Sequence, residues 1–457
     1  MSILDKYEEL LNRIETIKFN GKVKKVVGLT IEGTGPQGNL GELCHIFISD
    51  QASRGGERKL DAEVVGFKED GIILMAYGDF SGISQGCPII GTGKSLEIPV
   101  GESLLGRILN GKGEPIDGKG AIIPETYYSI FKQNISALKK KRITKKISVG
   151  IKAIDGLLTV GEGQRVGIFS GSGIGKSTLL GMISRFTEAD VNVIALIGER
   201  GREVNNFIEK DLGEEGLKKS VVIVATSDEA PIMRLRGAFV ATTIAEYFRD
   251  KGLRVMFLMD SITRFARAQR EIGLAVGEPP STRGFTPSVF TILPVLLERT
   301  GPSDKGSITA FYTVLVEADD MNEPVADNVR AILDGHIVLS RELASLNHYP
   351  AIDILNSVSR LMIDIVDEKH MENANKVREI LATYKEAYDL INIGAYAKGS
   401  NPRIDYTIDM IDKVNNFLKQ GIYEKFTFEQ TEELLNALFN NENFQKADIK
   451  EKEVVRK

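Results

Sequence analysis

The sequence has little that would cross-link it or place it in a membrane. Its 457 residues include two cysteines, Cys44 and Cys87, and four histidines, with no C-x-x-C or H-x-x-x-H spacing among them. This excludes a disulfide framework and a cysteine and histidine metal site, so Cys44 beside His45 is interpreted as strand filling. No apolar run approaches the roughly 18 residues of a membrane span, and the start of the chain lacks a signal-peptide pattern. We therefore expect a cytoplasmic protein.

The chain also lacks an excess of basic residues. Lys and Arg total 58, Asp and Glu total 63, and the net charge is −5. Nucleic-acid-binding proteins usually show a basic balance or a concentrated basic face, so we expect no nucleic-acid partner. The basic run at 132–146 could form such a patch, but it contains no aromatic residues for base stacking. A solvated connector is the favoured interpretation.

Glycine, in contrast, is abundant. The sequence contains 45 glycines, while hydrophobic residues make up 42% and charged residues 26%, which are values of an ordinary globular protein. The position of these glycines matters more than their number, because several of them cluster in one short loop.

Pattern changes along the chain predict an α/β protein with four segments. Residues 1–20 contain an amphipathic helix at 2–17, which either packs on its own domain or is offered to a partner. Residues 21–97 hold short β-branched runs separated by turn residues, including the hairpin signal Asp70-Gly71, and predict a small β-barrel.

The other two segments differ in their periodicity. Apolar runs alternate with helical stretches within 98–363, which is typical of a parallel sheet covered by helices. The segment 364–457 is helical throughout and ends in a charged tail, KADIKEKEVVRK, which we expect to be frayed.

A glycine-rich loop after the predicted strand RVGIF carries the first functional signal. The run at 170–178 reads SGSGIGKST and precedes a helical stretch. Glycines allow backbone N–H groups to surround phosphate oxygens, and the helix N-terminus adds partial positive charge. The strict motif has Gly where this chain has Ser170, and the other glycines compensate. The predicted nucleotide-binding residues are Gly171, Ser172, Gly173, Ile174, Gly175, Lys176, Ser177 and Thr178, with Lys176 reaching the β- and γ-phosphates and Ser177 ligating Mg²⁺.

A second run, GTGKS at 91–95, resembles this motif superficially. Pro88 occupies the position of the first glycine, and a strand-like stretch with Pro99 follows where a helix would be needed. Without a helix N-terminus there is no anion site, so this run is interpreted as the end of the barrel.

Two carboxylates follow later predicted strands. Glu199, in ALIGERGRE, is placed to orient or deprotonate an attacking water, with Arg200 and Arg202 nearby to balance phosphate charge. Asp260 ends the strand RVMFLMD, where a carboxylate holds Mg²⁺ through water. An aspartate at this place is commonly a helix cap, but beside a phosphate loop we interpret Asp260, with Ser177, as the metal site.

Several longer motifs together resemble the catalytic subunits of F/V/A-type rotary ATPases, and most closely the flagellar and type III secretion export ATPases. The resemblance runs from the barrel to about residue 435. The motifs that carry it are PVGESLLGRILNGKGEPIDG, IKAIDGLLTVGEGQRVGIFSGSGIGKSTLL, GERGRE, DSITRFARAQREIGL, LDGHIVLSR and HYPAIDILNSVSR. It implies a RecA-like P-loop nucleotide-binding core with an N-terminal small β-barrel and a C-terminal helical domain.

The resemblance also implies roles for single residues. It makes Glu199 the residue that activates water, Arg200 its link to the neighbouring subunit, and Asp260 the Mg²⁺-linked aspartate. Arg264 lies near the γ-phosphate, Tyr349 stacks on adenine, and Arg360 is an arginine finger inserted into the neighbouring subunit's site. For Arg360, a surface salt bridge is the interpretation without the resemblance. The loop with Glu317, Asp319 and Asp320 faces a central stalk or is an exposed acidic turn.

The implied function is hydrolysis of MgATP by a cytoplasmic homohexamer, peripheral to the inner face of the plasma membrane, that energises flagellar type III protein export. Implied partners are a peripheral-stalk regulator bound through 1–20, a coiled-coil central stalk, an export gate and chaperone–substrate complexes.

Four alternatives are weighed against this function. They are an injectisome ATPase, a catalytic subunit of a rotary ATP synthase, a ring-shaped RNA translocase and a non-catalytic ring subunit. The helices after 364 lack the acidic DELSEED segment of synthases and instead read DLINIGAYAKGSNPRIDYTID at 389–409. The net acidity opposes the RNA translocase, and the presence of Glu199 opposes a non-catalytic subunit.

Overall fold

The computed structural model describes residues 20–36, 38–50, 56–69, 71–132, 140–316 and 320–440. The predicted N-terminal helix at 2–17, the charged tail and residues Asp70, Glu317 and Asp319 lie outside these ranges, so those predictions stay predictions. No helix of the described part of the chain is both long and apolar enough to cross a membrane.

The short β-branched runs form a closed barrel, as predicted. Its strands are β1 (Asn20–Val27), β2 (Thr30–Gly33), β3 (Glu42–Asp50), β4 (Gly56–Lys68), β5 (Gly71–Ala76) and β6 (Pro88–Ser95), which close in the order β1-β2-β5-β4-β3-β6. Cys44 is buried in the barrel core, which confirms that it is a core residue of a strand. The run GTGKS lies in β6, which confirms that it is the end of the barrel. The run VKKVVGLTI is split into β1 and β2 at Gly28, whose positive φ of 56° suits a residue without a Cβ.

The remaining strands are divided between a central sheet and a separate two-stranded pair. They are β7 (Glu97–Val100), β8 (Ile108–Asn110), β9 (Thr126–Ser129), β10 (Arg165–Ser170), β11 (Val191–Ile197), β12 (Ser220–Ala225), β13 (Arg254–Asp260), β14 (Gly301–Pro302), β15 (Ser307–Leu315), β16 (Gly335–Leu339) and β17 (Ile352–Ser359). The sheet order is β17-β16-β10-β15-β13-β11-β12-β8, with β14 paired to β15, while β7 and β9 pair with each other.

The sheet is parallel from β16 to β8, as the apolar runs predicted. Two strands depart from the prediction, because β14 and β17 run antiparallel to their neighbours. The segment 340–351 between β16 and β17 closes on itself at one end of the sheet, and strands joined at the same end run antiparallel. The turn-rich stretch at 99–118 also supplies β8, which the sequence did not indicate.

Helices cover both faces of the sheet. The helices that alternate with its strands are α1 (Lys152–Leu157), α2 (Lys176–Phe186), α3 (Gly201–Asn206), α4 (Gly213–Lys218), α5 (Pro231–Asp250), α6 (Ile262–Ala275), α7 (Pro287–Leu297), α8 (Pro324–Ile332) and α9 (Arg341–Ser345). The C-terminal helices are α10 (Met362–Ile365), α11 (Glu368–Asn392), α12 (Pro402–Leu418) and α13 (Phe428–Ala437). One apolar core lies under α5 to α8, and a second joins α1 and α2 to the C-terminal helices.

Candidate nucleotide-binding site

The candidate site lies at the carboxyl edge of the parallel strands. Because β10, β15, β13 and β11 are neighbours and run in one direction, the residues that follow them meet at the same edge. In open α/β sheets ligands bind at this edge. The P-loop, Thr313, Asp260 and Glu199 are therefore brought together from four strands that are distant in the sequence.

The phosphate loop has the predicted strand, loop and helix order. Strand β10 ends at Ser170, helix α2 begins at Lys176, and the loop between them contains Gly173 and Gly175 with φ values of 79° and 98°. This left-handed conformation strains residues with a Cβ, which explains glycine at both positions. The 11-residue helix α2 directs its free N–H groups toward the loop, which favours a bound phosphate.

Lys176 lies between the two predicted acidic residues. Its Nζ is 2.6 Å from Oδ1 of Asp260 and 3.7 Å from Oε1 of Glu199. The same Oδ1 accepts a hydrogen bond from the Thr313 hydroxyl at 2.8 Å. All these side chains are nearly buried, so their charges interact strongly across the short distances.

Glu199 is the candidate proton acceptor of the site. Its Oε1 is buried and has no hydrogen-bond partner among the described residues. Burial raises the pKa of Glu199, and the Asp260 carboxylate and a hydrogen bond with Glu203 raise it further. The pKa of Glu203 is lowered, chiefly by that hydrogen bond. A carboxyl group with its pKa shifted toward neutrality suits general base chemistry.

Arg264 forms the basic side of the site. Its stem packs on Gly198, where an added Cβ would come within 2.8 Å of the Arg264 Cβ, and Gly198 has a positive φ of 71°. The Nε of Arg264 is buried without a hydrogen-bond partner in the described chain. Arg200, by contrast, has 76% of its side chain exposed, and its Nη1 lies 3.6 Å from Oε1 of Glu203.

These groups surround a cavity of about 620 Å³. The residues that line it are Gly171, Ser172, Gly173, Gly175, Lys176, Ser177, Thr178, Glu199, Arg200, Glu203, Arg264, Arg267, Leu315, Val316 and Arg341. Glu203, Arg267 and Arg341 were not assigned roles from the sequence. Arg267 could have been found, because it lies three residues after Arg264 on one helix and shares its face, but no local pattern brings Arg341 to this cavity.

Tyr349 lies beside the phosphate loop. A Cβ added to Gly175 would be 3.9 Å from the Cε1 of its ring, and 43% of Tyr349 is exposed. The Tyr349 carbonyl accepts a hydrogen bond from the backbone N–H of Gln420 at 2.9 Å. An exposed ring next to a phosphate loop is available to a nucleotide base.

Arg360 lies away from this cavity. It follows β17, and its backbone N–H donates to the carbonyl of Asp334, whose side chain pairs with Arg165 at the start of β10. The P-loop follows the other end of β10, roughly 16 Å away at about 3.3 Å per residue. The Arg360 side chain is exposed and donates to the Arg330 carbonyl at 3.2 Å.

The basic run is held by partners within the chain. Lys140 donates to the side chain and carbonyl of Glu298, Lys141 to the Asp304 carbonyl, and Arg142 to Asp364. Lys146 lies 3.5 Å above the ring of Phe428. Over residues 140–146 the run behaves as the predicted connector.

The fold and the site define a RecA-like P-loop nucleotide-binding protein. Comparison with known proteins narrows this class. Residues 150–359 match the model of the ATP synthase alpha/beta family nucleotide-binding domain, 23–93 its beta-barrel domain, and 366–437 the T3SS EscN ATPase C-terminal domain.

Curated relatives agree along nearly the whole chain. The flagellum-specific ATP synthase of Bacillus subtilis is 53% identical over 96% of this chain and 100% of its own length. The type 3 secretion system ATPase of Xanthomonas euvesicatoria is 51% identical over 92% and 93%. The chain belongs to the ATP synthase alpha/beta family, in the group of flagellum-specific ATP synthases and type 3 secretion system ATPases.

Solved structures support the same assignment. The assembled ATPase EscN from the enteropathogenic E. coli type III secretion system matches with a TM-score of 0.86 and 45% identity, covering 92% of this chain and 99% of that one. EscN in complex with its central stalk EscO matches with a TM-score of 0.84 and 44% identity, over the same shares.

Proposed function

We propose that this chain hydrolyses MgATP as a subunit of a homohexameric ring that energises protein export through a type III apparatus. The observation that carries the proposal is the meeting of Lys176, Asp260 and Glu199 beside a glycine-rich loop, where Lys176 and Glu199 line one cavity. This is the arrangement that phosphoryl transfer to water requires: a cradle for the phosphates, a carboxylate for the metal and a second carboxylate for the water.

The residues present fit Mg²⁺. Ser177 and Asp260 supply oxygen atoms, and Mg²⁺ prefers few protein oxygens together with water and phosphate. When bound, the ion would neutralise charge that develops on the phosphates. In our proposal Lys176 and the loop N–H groups hold the β- and γ-phosphates, Glu199 orients a water and accepts its proton, and Arg264 compensates the negative charge.

A ring explains the position of Arg360. Since this arginine cannot reach its own P-loop, we propose that it completes the site of the neighbouring subunit, and that Arg200 couples the Glu199 site to that neighbour. The assembled state of EscN supports assembly of this chain into a ring, because that protein is similar over nearly the whole chain. Tyr349 is proposed to stack on the adenine.

Among the remaining partners, a central stalk is supported by a relative. EscN was solved with a central stalk, and we propose a coiled-coil stalk for this chain, with Asp320 on the loop that faces it. The peripheral-stalk regulator bound through 1–20, the export gate, the chaperone–substrate complexes, the peripheral membrane location and the four-segment domain division remain predictions from the sequence.

The proposal is tested by Glu199→Gln. The substitution keeps the shape of the side chain but removes the proton acceptor, so we expect ATP binding to persist while phosphate release falls by roughly 10²–10⁴-fold. Binding is measured with a fluorescent ATP analogue and turnover with a phosphate-release assay. Glu214→Gln, an exposed change in α4, is the matched control. Normal hydrolysis by the Glu199 variant would overturn the mechanism.

We propose the flagellar branch of the family, although relatives from both branches are similarly close. Co-purification with residues 1–20 intact and deleted decides between them. Recovery of a flagellar peripheral stalk only with the intact chain supports the proposal, and recovery of an injectisome stalk contradicts it.

A further inference from the structure

Thr313 belongs to the site although no sequence motif marks it. It lies in β15 and is fully buried among apolar strand residues. Strand β15 is situated between β10, which leads to the phosphate loop, and β13, which ends at Asp260. The register pairs Thr313 with Ile168 of β10, and pairs Tyr312 with Met259 just before Asp260. Thr313 is therefore level with the acidic end of β13.

Two donors meet on one oxygen of Asp260. The Thr313 hydroxyl at 2.8 Å and Lys176 Nζ at 2.6 Å both contact Oδ1. The two donors differ in conformational freedom, because the lysine side chain is long and flexible and must also bind the phosphates. A β-branched side chain in a central strand has one strongly restricted χ1, so the Thr313 hydroxyl stays fixed.

We propose that Thr313 is a positioning residue that fixes the Asp260 carboxylate through Oδ1 and leaves Oδ2 for the water shell of a divalent cation. This inference rests on the proposed function of the site. While Lys176 is engaged with phosphate, Thr313 keeps the carboxylate in the same orientation. Groups that hold a metal-linked carboxylate in this way commonly set how tightly the metal is bound.

The test compares Thr313→Val with the unchanged protein. Valine keeps the branched shape and removes the hydroxyl. Binding of a fluorescent ATP analogue is titrated with Mg²⁺ and repeated in EDTA. We expect the half-saturating Mg²⁺ concentration to rise by roughly 10–100-fold, as typically follows the loss of such a partner, while binding in EDTA is unchanged.

Two further comparisons separate the proposed positioning role of Thr313 from a general loss of stability. Thr313→Ser and Thr313→Ala differ by one oxygen, so serine should restore Mg²⁺ dependence and alanine should not, even if the valine variant does not fold. Thr309→Val is the matched control, since Thr309 is a buried threonine of the same strand whose hydroxyl accepts from Gly163 N–H at 2.8 Å. It should lower thermal stability without changing Mg²⁺ dependence.

The possible results are distinguishable. If the unchanged protein shows no Mg²⁺-dependent nucleotide binding, the proposed function itself fails. If it does, the inference is overturned by a valine variant with ordinary Mg²⁺ dependence, by equal losses with Mg²⁺ and in EDTA, or by a serine variant as weak as alanine.

Discussion

Asp117 shows how a single residue outside the site contributes to the stability of the fold. Its carboxylate accepts from Arg107 Nε at 2.7 Å and Nη2 at 2.9 Å, and from the backbone N–H groups of Ile108 and Lys119. The Arg107 guanidinium, above all through these hydrogen bonds, holds the pKa of Asp117 well below its usual range. This pair closes the turn-rich segment around β8, at the edge of the central sheet.

The depressed pKa predicts how stability depends on pH. A carboxyl group with a lowered folded-state pKa stabilises the fold above its unfolded pKa, and this contribution is lost as the pH falls through the folded value. We expect Asp117→Asn to lower the free energy of unfolding at pH 7, and the difference from the unchanged protein to shrink below about pH 4. Urea unfolding at several pH values measures this. An equal difference at every pH would contradict it, and the exposed change Asp412→Asn should show no such trend.

At the scale of elements, the connection between α12 and α13 joins the C-terminal helices to the sheet. Gln420 is buried there; its Nε2 donates to the carbonyls of Gly150 and Glu424, and its Oε1 accepts from Lys152 N–H, each at 2.8 Å. The Arg185 guanidinium at the end of α2 donates to the Ile422 carbonyl of the same connection. The P-loop helix and the C-terminal helices are thus linked through one short segment.

We expect Gln420→Leu to weaken this link. The change leaves several buried polar groups unpaired, and each costs roughly 1–3 kcal/mol, so the free energy of unfolding should fall by about 3 kcal/mol. We also expect a higher KM for ATP, because the backbone of Gln420 holds Tyr349. Denaturant titration and steady-state kinetics measure the two effects. Gln269→Leu removes one hydrogen bond to Ser288 and should cost far less; equal losses in both variants would disprove the linking role.

At the scale of the whole molecule, the position of Arg360 is the structural observation that supports the proposed ring. The phosphate loop and Arg360 lie at opposite ends of the sheet, so in the proposed ring one subunit would present the cavity and the next would present the arginine. A closed ring of identical subunits satisfies both ends, because every interface then joins the same two surfaces.

Mixed rings test this arrangement. We expect Arg360→Ala to assemble but hydrolyse ATP slowly, since an arginine finger contributes roughly 10³–10⁵ in rate where it has been measured. Mixing Arg360→Ala with Glu199→Gln should restore about a quarter of the sites, because random rings pair an intact cavity with an intact arginine at that frequency. A mixture of Glu199→Gln with the Glu199→Gln, Arg360→Ala double variant is the control and should stay inactive. Failure of the first mixture to recover activity would place Arg360 outside the neighbour's site.

Much of the fold was predictable because its signals are local. The β-branched runs of the barrel, the apolar runs of the sheet and the helical pattern after residue 364 each follow from periodicity. The antiparallel β17 and the added strand β8 were not predictable, since strand direction and membership of a sheet depend on where the chain returns. The phosphate loop was found because its residues are contiguous.

By itself the sequence determined the P-loop with Lys176, the carboxylates Glu199 and Asp260 at strand ends, and the family to which the chain is similar. Only the tertiary structure decided that Thr313 and Arg341 reach the same site. The physical reason is that side chains on neighbouring strands meet through sheet order and register, which no local stretch of sequence contains.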